Sequence, residues 1–158
     1  MTPKVKPIPD GYQGATPYLS TNGAAAAIEF YKKAFGAIET MRLTGPDGKV
    51  GHAEITIGAA RIMLADERPE IGFPSPQKLG GSPVIIHLYV EDVDAVFSQA
   101  TAAGAKVLRP VADQFYGDRA GQFEDPFGHV WFLATHTEDV SPEEIERRAA
   151  VIPQGGNS

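Results

Sequence analysis

Tyr18-Leu19-Ser20-Thr21-Asn22 is a short extended segment that runs directly into Gly23-Ala24-Ala25-Ala26-Ala27-Ile28-Glu29-Phe30-Tyr31-Lys32-Lys33-Ala34-Phe35-Gly36-Ala37. Ile28, Tyr31 and Phe35 recur at three- and four-residue spacing, the period of a helix with one buried stripe. Asn22 carries a side chain able to accept from the first free helix amides, and Gly36 stands where a helix ends in a left-handed residue. The second half repeats the plan. Val84-Ile85-Ile86-His87-Leu88-Tyr89-Val90 reads as a strand, Asp92 caps a helix over residues 93–103, and Val93, Val96, Phe97 and Ala100 form its stripe. Gly104-Ala105 closes that helix as Gly36-Ala37 closes the first.

Each helix is followed by a run of strands. In the first half these cover residues 38–44, 50–57 and 61–65, separated by Gly45-Pro46-Asp47-Gly48 and Gly58-Ala59-Ala60, with glycine supplying positive φ in the turns. In the second half they cover residues 106–111, 117–124 and 130–134, with Asp125-Pro126-Phe127-Gly128 as the last turn. The pattern is β-α-β-β-β, twice, which makes an α+β protein. A four-stranded sheet with one helix hides one face and leaves the other free for a ligand or partner.

The expected organisation is a tail over residues 1–10, a first module over 11–68, a linker over 69–83, a second module over 84–136 and a C-terminal segment over 137–158. The linker holds Pro69, Pro74, Pro76 and Pro83 with Gly72, Gly80 and Gly81. It reads either as a binding loop or lid, or as a plain surface crossover. In the last segment Ser141 and Glu144 form a capping box with Pro142 at the first helical position, so a short helix to Ala150 follows. Such a helix covers its own sheet or a partner subunit. Residues 151–158 are expected to be disordered.

Composition narrows the functional class. The 158 residues include no cysteine, so disulfides, thiolate nucleophiles and thiolate metal sites are excluded. The net charge of -6, with no Lys/Arg cluster, argues against nucleic acid as a partner. No apolar run approaches the ~20 residues that cross a bilayer, and no secretory signal is visible, so a cytoplasmic protein without a membrane partner is expected. The expected ligand is a small molecule or another protein. Neither a Gly-x-Ser-x-Gly elbow nor a phosphate loop is present.

The doubled plan, Ala-Ile-Glu-Phe-Tyr-Lys-Lys-Ala-Phe-Gly-Ala at residues 27–37 and Glu-Asp-Pro-Phe-Gly-His at residues 124–129 resemble the glyoxalase/bleomycin-resistance/dioxygenase (vicinal oxygen chelate) superfamily. His52-Ala53-Glu54-Ile55, Leu64-Ala65-Asp66-Glu67, Asp125-Pro126-Phe127-Gly128-His129 and Ala134-Thr135-His136 resemble its PhnB-like branch. The resemblance implies paired modules forming a cupped mixed sheet, and a homodimer. Metal enzymes of this superfamily place one ligand on each of four strands, usually His, Glu, His or Gln, and Glu. Carried over residue by residue, those positions fall at Thr16, Met63, Ile85 and Phe132. None of the four suits a divalent ion, so the usual metal site is expected to be absent and no cofactor is expected. A two-residue slip of register would instead place His87 at the third position.

Strand alternation then gives the candidate site. His52, Glu54 and Thr56 oppose Ala53, Ile55 and Ile57, so the polar set faces the cup or solvent. Ile85, His87 and Tyr89 share a face, as do Arg61, Met63 and Ala65, and Val130, Phe132 and Ala134. A His–Glu pair drawn from His52, His87 and Glu54 has the chemistry of a general base with an orienting carboxylate, suited to proton abstraction beside a carbonyl. The alternatives are ligand contact without catalysis, a purely structural role, or a non-standard divalent-metal site for a lyase, isomerase or dioxygenase. A drug-sequestering binding protein is a further reading. Thr16, Met63, Ile85, Tyr89 and Phe132 would line the ligand. Phe115 and Arg119, near Tyr116 and Asp118, are candidates for holding a planar anion by stacking and a charged hydrogen bond, or else form a hairpin corner. Trp131 is expected in the core. Asp66 and Glu67 are expected at a strand end beside Arg68. His129 is expected on the surface and His136 in a structural or solvated role.

Overall fold

The computed structural model describes residues 2–153. They form two units, residues 2–82 with Pro126–Gly128, and residues 83–125 with 129–153. In the first unit β1 (Tyr18–Thr21), α1 (Ala24–Phe35), β2 (Ile38–Thr44), β3 (Val50–Ile57) and β4 (Ala60–Asp66) follow one another. A 3-10 turn at Pro69–Ile71 and the single-turn α2 (Pro76–Leu79) occupy the Pro/Gly-rich stretch. The second unit holds β5 (Ile85–Tyr89), α3 (Val93–Ala102), β6 (Lys106–Asp113), β7 (Asp118–Glu124), β8 (Val130–His136) and α4 (Pro142–Ala150). The fold is therefore α+β, two β-α-β-β-β modules with a C-terminal helix. Residues 154–158, the end of the expected disordered tail, lie outside the described residues.

Hydrogen bonding gives two mixed sheets of four, ordered β1-β4-β3-β2 and β5-β8-β7-β6. The first strand of each module pairs parallel with the last, and the remaining pairs are antiparallel. A parallel pair needs a long crossover, which the helix and the two intervening strands provide. One face of each sheet lies under its helix. In the first, Ala53, Ile55, Ile62 and Leu64 are buried with Ala27, Ile28 and Tyr31; in the second, Phe123, Trp131 and Leu133 are buried with Val93, Phe97 and Ala100. Alternation leaves the opposite faces free.

The helix starts differ from one another. Asp92 accepts from the Ala95 amide at 3.1 Å, and Ser141 from the Glu144 amide at 3.2 Å, as their positions imply. Asn22 does not cap α1. The capping position is Gly23, at φ 103°, with no side-chain cap of its own. Asp66, at the end of β4, takes over: its Oδ1 accepts from the Gly23 and Ala24 amides at 3.0 and 2.8 Å, and its Oδ2 from the Val50 amide at 2.7 Å. The left-handed Gly23 aims those amides at the neighbouring strand end. Glu67 turns to the Ser75 amide at 2.9 Å, leaving Arg68 to pair with Asp47 and Glu70.

The Asp125-Pro126-Phe127-Gly128 turn is shared between the units. Asp125 stays in the second, where it accepts from the His129 amide at 3.0 Å and from the Trp131 indole at 2.9 Å. This tight bonding pulls His129 in, so it is buried rather than exposed. Phe127 belongs to the first unit, with its ring edge-on to Phe30 at 6.4 Å. α4 is tied to its own unit through Arg148, which donates to the Phe115 carbonyl at 3.1 Å and to Glu138 and Glu144. No helix among the described residues is long and apolar enough to cross a membrane.

Candidate functional site

On the free face of the first sheet, the ladder sets Tyr18 beside Met63, Met63 beside Glu54, and Glu54 beside Met41. One step along, His52 lies between Ala65 and Leu43, which follows from the same register. Three side chains of this face meet. The Tyr18 hydroxyl and His52 Nδ1 are 2.6 Å apart, and His52 Nε2 lies 3.2 Å from Glu54 Oε1. Ionised Glu54 only accepts, so His52 Nε2–H donates to it, and in that tautomer Nδ1 accepts the hydrogen bond of the Tyr18 O–H. Burial, and then the Glu54 charge, raises the Tyr18 phenol above its usual pKa, which keeps it a donor at neutral pH.

Glu54 has a further neighbour from the N-terminal segment. The Tyr12 hydroxyl is buried beside it without a hydrogen-bond partner among the described residues, and the Tyr12 ring carries the Arg61 guanidinium at 4.8 Å. The Tyr12 dipole, the His52 ring and the Arg61 charge together outweigh burial and hold Glu54 below the usual carboxylate range. Glu54 is therefore charged and accepting at neutral pH. Thr16 is half-buried, two residues before β1.

On the free face of the second sheet, His87 pairs across to Phe132, with ring centroids 5.0 Å apart, and lies 4.8 Å from the Tyr89 ring. Ile85 shares this face and is exposed. Tyr89 O–H donates to Asp118 Oδ2 at 2.7 Å, while His136 bonds Asp118 Oδ1 and Asp139 Oδ1, each at 2.8 Å. Both of those partners are acceptors, so the bonding favours the imidazolium. Asp139, and then Asp118, raises the His136 pKa accordingly. Burial works against the charge on Asp118, but donation from Tyr89 and His136 offsets it and holds the carboxyl below its usual range.

Residues 115–119 are engaged otherwise. Arg119 pairs across to Thr135, on the helix-covered side, and its guanidinium grips Asp94 of α3 at 2.7 and 2.9 Å and Asp113 at 3.2 Å. Two carboxylates thus already neutralise the cation. Phe115 sits edge-on to Tyr116 at 5.2 Å. Strand alternation places His52, Glu54 and Met63 on one face, and the alternation that carries Thr16 also carries Tyr18, which the sequence pattern alone does not single out. His136 is likewise not singled out by its neighbours in sequence; it meets Asp118 because the two stand directly opposite in the β7–β8 ladder.

These geometries sit in a doubled module that known proteins share. The model of the Glyoxalase/Bleomycin resistance protein/Dioxygenase superfamily matches residues 15–133. The chain belongs to that superfamily. Among its relatives, the uncharacterized protein Rv0887c of Mycobacterium tuberculosis is 48% identical over 143 residues, covering 89% of this chain and 83% of that one. The X-ray structure of the Arabidopsis thaliana At5g48480 gene product matches with a TM-score of 0.63 at 28% identity, over 78% of this chain and 98% of that one. The PhnB protein of Bacillus cereus matches in fold, with a TM-score of 0.62 at 21% identity, over 78% of this chain and 99% of that one.

Membership raises the question of the superfamily's divalent metal. At the four carried-over positions this chain offers the Thr16 hydroxyl, the Met63 thioether and the hydrocarbons of Ile85 and Phe132. That donor set lacks the imidazole and carboxylate ligands with which the superfamily's sites hold a divalent cation, and it does not fit one. Among the described residues, no group of three or more His, Asp or Glu side chains is arranged to hold an ion.

Proposed function

We propose that this superfamily member, of PhnB type, binds a small organic molecule against the free faces of its sheets without the usual metal, working as a homodimer in the cytoplasm. The observation that carries the reading is the Tyr18–His52–Glu54 relay, with contacts of 2.6 and 3.2 Å. It offers a polar anchor on a face that also carries Met41, Leu43 and Met63, the mix of apolar wall and few polar groups typical of ligand sites. His87, with Ile85, Phe132 and Tyr89, is the corresponding ligand-contacting set of the second sheet. The motif at residues 52–55 and the fold likeness to the Bacillus cereus PhnB protein support the branch.

The relay also has the atoms for turnover. A ligand carbonyl that draws the Tyr18 hydroxyl to itself frees His52 Nδ1 as a base, while Glu54 holds the ring and stabilises the imidazolium that forms. Proton abstraction beside that carbonyl, followed by its return, is the reaction this supports.

A thermal-shift screen over antibiotics, 2-oxoaldehydes and phenolics tests the proposal. A ligand at about 100 times its Kd should stabilise the protein by about 2.7 kcal/mol. Tyr18→Phe and His52→Ala should each weaken such a ligand about tenfold, the worth of one hydrogen bond in a shielded site. Adding a chelator should change nothing. Shifts that survive both substitutions, or that vanish on chelation, would overturn the reading.

A further inference from the structure

A cavity of about 470 Å³ lies in the second unit, lined by Tyr89, Tyr116, Asp118, His136, Val140 and Ile145, with Asp139 and Ser141 completing it. It shares no residue with the Tyr18–His52–Glu54 relay. A neighbouring hollow of about 520 Å³ shares Tyr89 and His136 and adds Glu91. These volumes suit a small organic ligand. We propose that this cavity, apart from the relay but sharing Tyr89 with the ligand-contacting set of the second sheet, is a binding site for a small organic cation, an ammonium group bearing an apolar substituent.

The lining chemistry selects that class. Two phenol rings, Tyr89 and Tyr116, supply the aromatic surface over which an ammonium is favoured. Val140 and Ile145 supply apolar surface for its substituent. Asp118 is 3% exposed and charged, Asp139 stands exposed on the far side of the His136 ring, and among the described residues no Lys or Arg lines the cavity. Among the described residues that line it, the basic group is His136, which donates to both carboxylates. His136 thus fills the place that an external cation would take between the two acids. An anion would meet two carboxylates and has no partner here.

Titration of His136 then controls the site. The groups facing it are Asp118 from β7, Asp139 from the segment before α4, Tyr89 from β5 and Tyr116 from the turn before β7. The His87 ring lies tilted against Tyr89, Glu91 stands in the adjoining hollow, and Glu138 is committed to Arg148. Both phenols stay neutral: donation to Asp118 raises the Tyr89 pKa, and burial raises that of Tyr116. With His136 charged, its proton offsets one of the two carboxylate charges; with it neutral, both charges stand uncompensated. Cation affinity therefore rises with pH as His136 loses its proton, and a bound cation in turn favours neutral His136.

Calorimetric titration of the full chain with benzyltrimethylammonium tests this, with benzyl alcohol and benzoate as the neutral and anionic probes. Binding at one site per chain is expected, about fivefold tighter near pH 8.5 than near pH 5.5, with no binding of benzoate. Tyr116→Phe should keep the affinity and Tyr116→Leu should lower it about tenfold, separating ring from hydroxyl. His136→Gln should remove the pH dependence, and Asp139→Asn should weaken binding in a chain that stays folded. Tyr18→Phe should leave cation binding unchanged, since the relay is not involved. No binding of the ammonium probe, equal binding of benzyl alcohol, or a pH dependence that persists in His136→Gln would each overturn the proposal.

Discussion

Asp66→Ala should lower the free energy of unfolding by about 3 kcal/mol, read as a drop in the urea midpoint at constant slope. One carboxylate accepts from three backbone amides, those of Gly23, Ala24 and Val50. The first two stand at the start of α1, where helix amides have no intrahelical acceptor, and a negative charge there also meets the positive end of the helix dipole. The third joins β3 to the same point. Hydrogen bonds to a charged group contribute about 1.5–3 kcal/mol each, but contributions that share one acceptor do not add in full. Asp66→Asn keeps an acceptor without the charge and should lose about half as much. A loss below about 0.5 kcal/mol for the alanine variant would show that water replaces Asp66 without cost.

Asp125→Ala should cost a similar amount, about 3 kcal/mol, and here the loss comes from polar groups left behind in the core. The Trp131 side chain is fully buried, and its indole N–H donates to Asp125 at 2.9 Å. The His129 amide uses the other oxygen at 3.0 Å. Removing the carboxylate strands the indole donor in an apolar environment. A double-mutant cycle isolates this term. Trp131→Phe removes the donor together with some packing, so Asp125→Ala should cost at least about 1 kcal/mol less in the Trp131→Phe background than in the wild type. Costs that simply add would mean that the indole–carboxylate contact contributes nothing.

These two carboxylates mark where sequence reading stops. The helix stripes, the strand runs and the doubled plan were legible, because periodicity is a local property and both modules express it. β2 and β3 come out at the residues expected, and Trp131 is in the core as its alternation with Phe132 implies. Asp66 reads as a strand-end acid that could pair with Arg68, because its three donors come from two segments distant in sequence. Asn22, adjacent to the helix, looked the better cap; the left-handed Gly23 between them gives the role to Asp66. The candidate site divides in the same way. His52 and Glu54 are two residues apart on one strand, so their pairing could be read directly. Tyr18 joins them only through the register of β1 on β4, and Asp118 meets His136 only through that of β7 on β8. Arg119 looked available for an anion because Asp94 and Asp113, on α3 and β6, are brought to it by tertiary structure alone.

The place of Pro126–Gly128 in the first unit has a consequence for the order of events during synthesis. Residues 2–82 leave the ribosome without Phe127, whose ring packs against Phe30. At about 5–20 residues per second, the stretch up to that tripeptide takes roughly 2–9 s more to be made. Through that interval the N-terminal half is an unfinished body with an open aromatic seat on α1. Its last piece arrives just before β8 and α4 of the second unit are made, so the first unit closes ahead of the second.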